Sequence, residues 1–297
     1  MKYDFLDADL LSRLGALPFE SRAPMMGTVA GKHRSPHRGS SVEFAEYRKY
    51  VEGDDTRRLD WKVFARSDRF YIKEFEADTN LRAYFVVDAS GSMNFEGEHG
   101  SKVDYARKIA ASLSYLLVNQ GDAAGLSVCT EKLHLEIPPS RRVAHLERIF
   151  ATLNDLKPGG ETGLVDALHT IAEKVSQRAL VVILSDLFAD PDELGDALQH
   201  LRYRKHDIAV FHLMDPQEID FEFDRPKRFV DLEDGTALVA EPNLIAEEYK
   251  TALRDFMTAV RDKCHDANAD YQLITTETPA EPLLREFLTA RLSKTKG

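Results

Sequence analysis

Three segments of the sequence carry oxygen-bearing side chains that could bind a hard metal cation. The first contains Asp88, Ser90 and Ser92, separated by an alanine and a glycine that let a loop fold tightly. A carboxylate with neutral hydroxyls, and with no Cys or His beside them, favours Mg²⁺ or Mn²⁺ over zinc. Taken alone, the segment fits a helix-capping turn equally well, with Asp88 as the cap.

Two further polar loops are expected at the same edge of the fold. Thr162 lies in the glycine-rich segment 159–163, and Asp186 follows the apolar run 179–184. In a parallel sheet, ligands bind where loops leave the carboxyl ends of the strands. We therefore predict a site for Mg²⁺, or alternatively Mn²⁺, with one coordination position left open. Its predicted ligands, direct or through water, are Asp88, Ser90, Ser92, Thr162 and Asp186.

These loops need a sheet to position them. From residue 81 onward, strand-like and helix-like segments alternate, beginning with the apolar run 81–87. This alternation predicts an α/β fold over residues 81–297, with a central, mainly parallel sheet flanked by helices. Residues 221–240 interrupt it as an inserted β-hairpin. Residues 1–80 are predicted to form a short helix, a basic loop at 24–41 and a small, mainly β subdomain.

Composition restricts the possible classes of function. The net charge of −11 over 297 residues argues against a general nucleic-acid binder. Cys129 and Cys264 are the only cysteines, and each lies among apolar residues, which predicts two buried thiols in a reducing cytoplasm. The first twenty residues are acidic, unlike an export signal. The longest apolar run, 179–184, is too short to cross a membrane.

The pattern Asp-x-Ser-x-Ser at residues 88–92, with Thr162 and Asp186, resembles the metal-ion-dependent adhesion site of von Willebrand factor type A (vWA) domains. The resemblance implies a Rossmann-like α/β fold. It also implies a Mg²⁺ ion that accepts a carboxylate from a partner protein as its last ligand. Members of that family often have Asp-Gly where this chain has Asp186 followed by Leu187.

The segment before this pattern resembles the bacterial family called domain of unknown function fifty-eight. That resemblance implies a cytoplasmic partner or adaptor of a MoxR-type AAA+ ATPase, although many members carry two membrane helices that this sequence does not show. The residues that carry it are 31–35, 39, 43–44, 48–50, 53–55, 58–61 and 65–66.

Three hypotheses of function follow. The leading one is a non-catalytic module that binds a partner's Asp or Glu through the metal. The second is a Mg²⁺-dependent phosphohydrolase that uses strand-end aspartates. Against the second, the sequence has no second carboxylate two residues after Asp88 and no Walker-type loop, and His99 and His134 are isolated histidines. In the third, the five residues are structural caps and bind no metal.

Overall fold

The computed structural model of the chain forms two compact units. The larger unit comprises Met1–Arg22 and Arg82–Gly297, and the smaller comprises Ala23–Leu81. The first helix therefore belongs with the larger unit, although the sequence grouped it with residues 1–80. The basic loop predicted at 24–41 lies outside the described residues. The structure describes residues 3–20, 43–50, 60–67, 69–76, 81–131, 133–223 and 225–295.

Two strands and one helix are described in the smaller unit. Strands β1 (Glu43–Lys49) and β2 (Tyr71–Glu76) pair in antiparallel fashion, and helix α2 (Trp61–Ser67) lies between them in sequence. Within this unit the rings of Phe64 and Phe70 stack with their centroids 4.4 Å apart.

A six-stranded sheet organises the larger unit, with strand order β12-β9-β8-β3-β6-β7. Every neighbouring pair is parallel except β6 and β7. The predicted α/β fold with a central, mainly parallel sheet is confirmed. The six strands are β3 (Arg82–Asp88), β6 (Ala123–Cys129), β7 (Leu133–Ser140), β8 (Leu180–Ser185), β9 (Asp207–Met214) and β12 (Asp270–Thr275).

Helices cover the two faces of this sheet. The short hairpin β4 and β5 precedes α3, and the predicted insertion is the separate hairpin β10 and β11. The bounds of these elements are α1 (Ala8–Leu14), β4 (Glu96–Gly97), β5 (Gly100–Ser101), α3 (Lys102–Asn119), α4 (Val143–Asp155), α5 (Leu164–Lys174), α6 (Pro191–Tyr203), α7 (Pro216–Asp220), β10 (Lys227–Val230), β11 (Ala237–Ala240), α8 (Pro242–Asp266) and α9 (Ala280–Thr295).

Burial explains why the central strands are so apolar. All residues of β8 and β9 are buried, as expected for strands covered on both faces. On one face, Val181 and Val210 pack in a cluster with Leu168 of α5 and Leu198 of α6. Hydrophobic burial on both faces fixes the register of these strands, and hence the position of the loops that follow them.

The C-terminal helix is attached to the opposite end of the sheet from those loops. Arg291 of α9 is only 1% exposed and pairs with Asp207 and Asp270, the first residues of β9 and β12. Both cysteines are free and buried, as predicted. In the described part of the chain, no helix is both long enough and apolar enough to span a membrane.

Candidate metal site

Three loops meet at the carboxyl ends of β3, β6 and β8. The loop after β3 is joined to the glycine-rich loop before α5 by two backbone hydrogen bonds. The Gly91 amide donates to the Gly160 carbonyl and the Gly159 amide donates to the Ala89 carbonyl, each at 2.9 Å. Gly160 has φ of +76°, a conformation that favours glycine. The glycines therefore allow the close approach that brings the polar side chains together.

Asp88 lies at the centre of this arrangement and is 1% exposed. Its Oδ1 accepts a hydrogen bond from the Ser90 amide at 2.9 Å. Its Oδ2 accepts from the hydroxyls of Ser185 at 2.6 Å and Thr162 at 3.3 Å. The hydroxyls of Ser90 and Ser92 lie 3.1 Å apart. Thus Ser90, Ser92 and Thr162, three of the predicted ligands, gather around Asp88, and Ser185 joins them.

The electrostatic environment of Asp88 is unfavourable for a carboxylate. Burial and then the negative charge of Asp186 raise its pKa to about 6, although hydrogen bonds from Ser185 and Ser90 oppose this rise. The groups that donate hydrogen bonds to Asp88 in the described residues are neutral hydroxyls and an amide. In the part of the chain that the structure describes, Asp88 therefore has no positive partner of its own.

Asp186, the fifth predicted ligand, has a different partner. Its Oδ2 accepts a hydrogen bond at 2.8 Å from Nζ of Lys102, whose side chain is completely buried. The same ammonium donates to Oε1 of Glu218 at 2.7 Å. Lys102 also lies over the Phe188 ring, 5.1 Å from its centroid. The negative charge of Asp186 therefore raises the pKa of Asp88, although one oxygen of Asp186 already pairs with the Lys102 ammonium.

Local structure explains how Lys102 and Glu218 reach this point. Ser101 caps α3, so Lys102 is the first residue of the helix and its side chain points into the cluster rather than to solvent. Glu218 belongs to a capping box at the start of α7, in which its Oε2 accepts from the Asp215 amide at 2.8 Å. The sequence pattern did not identify either residue as part of the site.

In the loop after β8, Leu187 occupies the position of the glycine in the Asp-Gly pattern. Leu187 has φ of +58°, the left-handed conformation that glycine adopts easily and leucine adopts at a cost of about 1–2 kcal/mol. Its side chain is 1% exposed and packs in the hydrophobic core, which offsets that cost. The Leu187 amide also donates to the Ser185 hydroxyl at 2.8 Å. Leu187 therefore adopts, without being glycine, a backbone conformation that glycine adopts easily.

The inserted hairpin contributes a fourth carboxylate that the sequence did not indicate. The carboxylate of Glu233, between β10 and β11, lies near the Ser92 hydroxyl and the Thr162 amide, which favour its charged form and lower its pKa. Burial is the main cause that raises its pKa, and the negative charge of Asp186 adds to the rise. Glu233 thus faces the same point as the side chains around Asp88.

These residues suit a hard divalent cation. Asp88, Asp186 and Glu218 are buried or largely buried, and Lys102 supplies one positive charge, so these four groups carry two excess negative charges when ionised. Glu233 adds a further negative charge when ionised. Mg²⁺ offsets two of these charges and prefers oxygen ligands. Among the described residues, no group of three or more His, Cys, Asp or Glu is placed to hold a metal. The predicted set is of another kind, because three of its five members are hydroxyl residues.

Of the two histidines considered in the phosphohydrolase hypothesis, the structure describes the side chain of His99. His99 is exposed, in the turn between β4 and β5. The side chain of His134 lies outside the described part of the chain.

Comparison with known proteins extends these observations. The family model described as "Protein of unknown function DUF58" matches residues 46–263. The uncharacterised protein Rv1480 of Mycobacterium tuberculosis is 27% identical over 223 residues, which cover 74% of this chain and 70% of the relative. An aerotolerance-related membrane protein from Bacteroides fragilis has a TM-score of 0.50 at 13% identity, covering 73% of this chain and 99% of that structure. The SpRpn10 VWA domain has a TM-score of 0.42 at 10% identity, covering 70% and 95%. The structural likeness to the Bacteroides protein concerns the fold alone.

Proposed function

Because the chain belongs to the family described as "Protein of unknown function DUF58", and because its matched segment contains all five predicted ligands, we propose that it is a non-catalytic, metal-dependent protein-interaction module. In this proposal Asp88, Ser90, Ser92 and Thr162 hold Mg²⁺, and Asp186 contributes through water or through Oδ1, the oxygen that does not contact Lys102. The metal supplies a positive centre that attracts an Asp or Glu of a partner protein.

One observation carries this proposal: Asp88 is a buried carboxylate that is surrounded by hydroxyl oxygens and has no cationic partner among the described residues. Burying an unpaired charge lowers the stability of the folded chain by several kcal/mol. A bound divalent cation removes that cost. Hydroxyl ligands carry no formal charge, so such a cation keeps enough positive charge to attract a further carboxylate.

The partner we propose is a MoxR-type AAA+ ATPase in the bacterial cytoplasm. This choice rests on the family resemblance, since the site itself specifies only a carboxylate. The ATPase would supply an exposed Asp or Glu, and the present chain would act as its adaptor.

Capture of the purified MoxR-type ATPase of the source genome tests this partner. We expect the immobilised chain to retain the ATPase in Mg²⁺. The amount retained should fall at least tenfold in EDTA or with Asp88→Ala, because both remove the metal. Glu161→Gln is the matched control, since Glu161 is an exposed carboxylate in the glycine-rich loop. It should retain the ATPase as well as the unmodified chain does.

Retention that is unchanged by both EDTA and Asp88→Ala would contradict a metal-dependent contact. Mg²⁺-dependent hydrolysis of a phosphate ester such as p-nitrophenyl phosphate, lost in Asp88→Asn, would support the phosphohydrolase instead.

A further inference from the structure

The tip of the β10–β11 hairpin lies directly on the loop that contains Ser90 and Ser92. A Cβ atom added to Gly91 would lie 2.0 Å from the carbonyl oxygen of Leu232 and 3.0 Å from the Cα of Glu233. No side chain fits between the two backbones. The hairpin tip is therefore in contact with the candidate metal loop, and only a glycine permits this approach.

The conformation of the turn fixes the direction of Glu233. Oδ1 of Asp231 accepts hydrogen bonds from the amides of Glu233 at 2.7 Å and Asp234 at 3.4 Å. The Asp231 amide donates to the Thr236 carbonyl at 2.8 Å, and Gly235 has φ of +76°. These hydrogen bonds define the turn, in which Glu233 is partly buried while the neighbouring Asp231 and Asp234 are exposed.

The charges around Glu233 make its position costly without a cation. Its carboxylate lies near the Ser92 hydroxyl and the Thr162 amide, but it also experiences repulsion from Asp186. Its Oε1 is buried and makes no hydrogen bond to any described residue. A carboxylate on the tip of an exposed hairpin could reach water by a small rotation, so its orientation toward other carboxylates needs a cause.

From this geometry, we propose that Glu233 is a built-in carboxylate ligand of the metal. This inference rests on the proposed function, because Glu233 then occupies the position that a partner's Asp or Glu would take. The hairpin closes the site within the chain, and a partner must displace Glu233 before its own carboxylate can bind the cation.

Ring contacts attach β10 to the rest of the larger unit. The ring of Phe221 stacks on Tyr249 at 4.2 Å and on Phe229 of β10 at 5.4 Å. In the described part of the chain, β10 and β11 pair only with each other, and Leu238, which lies opposite Phe229, is 63% exposed. A cavity of about 600 Å³ beside the hairpin is lined in part by Phe188. The turn at the tip lies beyond these ring contacts and approaches the candidate metal loop at Gly91, so it can move away while β10 stays attached.

Mn²⁺ binding followed by water-proton relaxation tests this inference on the whole chain. We expect Glu233→Gln to weaken Mn²⁺ binding about tenfold and to raise the relaxivity of the bound ion, because a water molecule replaces the carboxylate. Acetate should then lower the relaxivity of this variant but leave that of the unmodified chain unchanged. Glu241→Gln is the matched control, since Glu241 is exposed just after the hairpin and makes no side-chain cap. It should behave as the unmodified chain does.

Gly91→Ala provides a second variant that keeps Glu233. Its added methyl group would overlap the Leu232 carbonyl, so the tip must move away. We expect the same rise in relaxivity. If the unmodified chain binds Mn²⁺ but both variants match it in affinity and relaxivity, the built-in ligand is disproved while the metal site stands. If the unmodified chain does not bind Mn²⁺, both the metal site and the built-in ligand are disproved.

Discussion

Replacement of Lys102 by methionine is expected to lower the free energy of unfolding by about 3–5 kcal/mol. The Lys102 ammonium is completely buried and donates to both Asp186 and Glu218, whose side chains are 1% and 12% exposed. Methionine has a similar length but no charge, so two buried carboxylates would lose their common partner. The loss would follow from these uncompensated charges and not from a cavity.

Urea denaturation of the metal-free chain measures this effect. Lys263→Met is the matched control, because Lys263 pairs with the exposed Asp192 at the surface and its loss should cost no more than about 1 kcal/mol. Adding Glu218→Gln to Lys102→Met should recover part of the stability, since one of the two unpaired charges is then removed. Equal losses for Lys102→Met and Lys263→Met would contradict this view of the cluster.

Replacement of Asp88 by asparagine is expected to have opposite effects with and without metal. In EDTA, the variant should be about 1–3 kcal/mol more stable than the unmodified chain, because a buried charge that repels Asp186 is removed. In Mg²⁺ at about a hundred times its dissociation constant, the unmodified chain should gain about 2.7 kcal/mol and the variant almost nothing. This pattern is typical of a site that is maintained for binding at the expense of stability.

Urea denaturation in EDTA and in Mg²⁺ measures the free energy of unfolding under both conditions. Glu161→Gln removes an exposed carboxylate from the neighbouring loop, and its stability should follow that of the unmodified chain under both conditions. If Asp88→Asn were less stable in EDTA, Asp88 would be a structural cap. An equal gain in Mg²⁺ for the variant would place the metal elsewhere.

The sequence was sufficient to predict the sheet and the meeting of the loops. Apolar runs such as β8 can be buried only between two layers of helices, and β3 and β8 are neighbours in the sheet. The loops that follow them therefore converge. The glycine-rich loop before α5 is joined to the loop after β3 by backbone hydrogen bonds, so that Ser90, Ser92 and Thr162 gather around Asp88. Their role as ligands stays a prediction, because their proximity alone also fits hydrogen-bonded caps.

Other parts of the site depend on packing that local patterns do not encode. The local sequence around Lys102 predicts only the first residue of a helix that is capped by Ser101. Its side chain is buried because of tertiary packing. Glu233 belongs to a hairpin far away in the sequence, whose docking depends on the absence of a side chain at Gly91. Leu187 adopts a glycine-like conformation because its buried side chain compensates for the strain. Each case reflects long-range contacts that override local preference.

Titration of the metal-free chain with Mg²⁺ and Mn²⁺ by isothermal calorimetry tests the central claim most directly. We expect one metal ion to bind per chain, and we expect Asp88→Asn to reduce the affinity at least a hundredfold while Glu161→Gln leaves it unchanged. If the unmodified chain bound neither metal, or if Asp88→Asn bound them equally well, the cluster around Asp88 would not be a metal site.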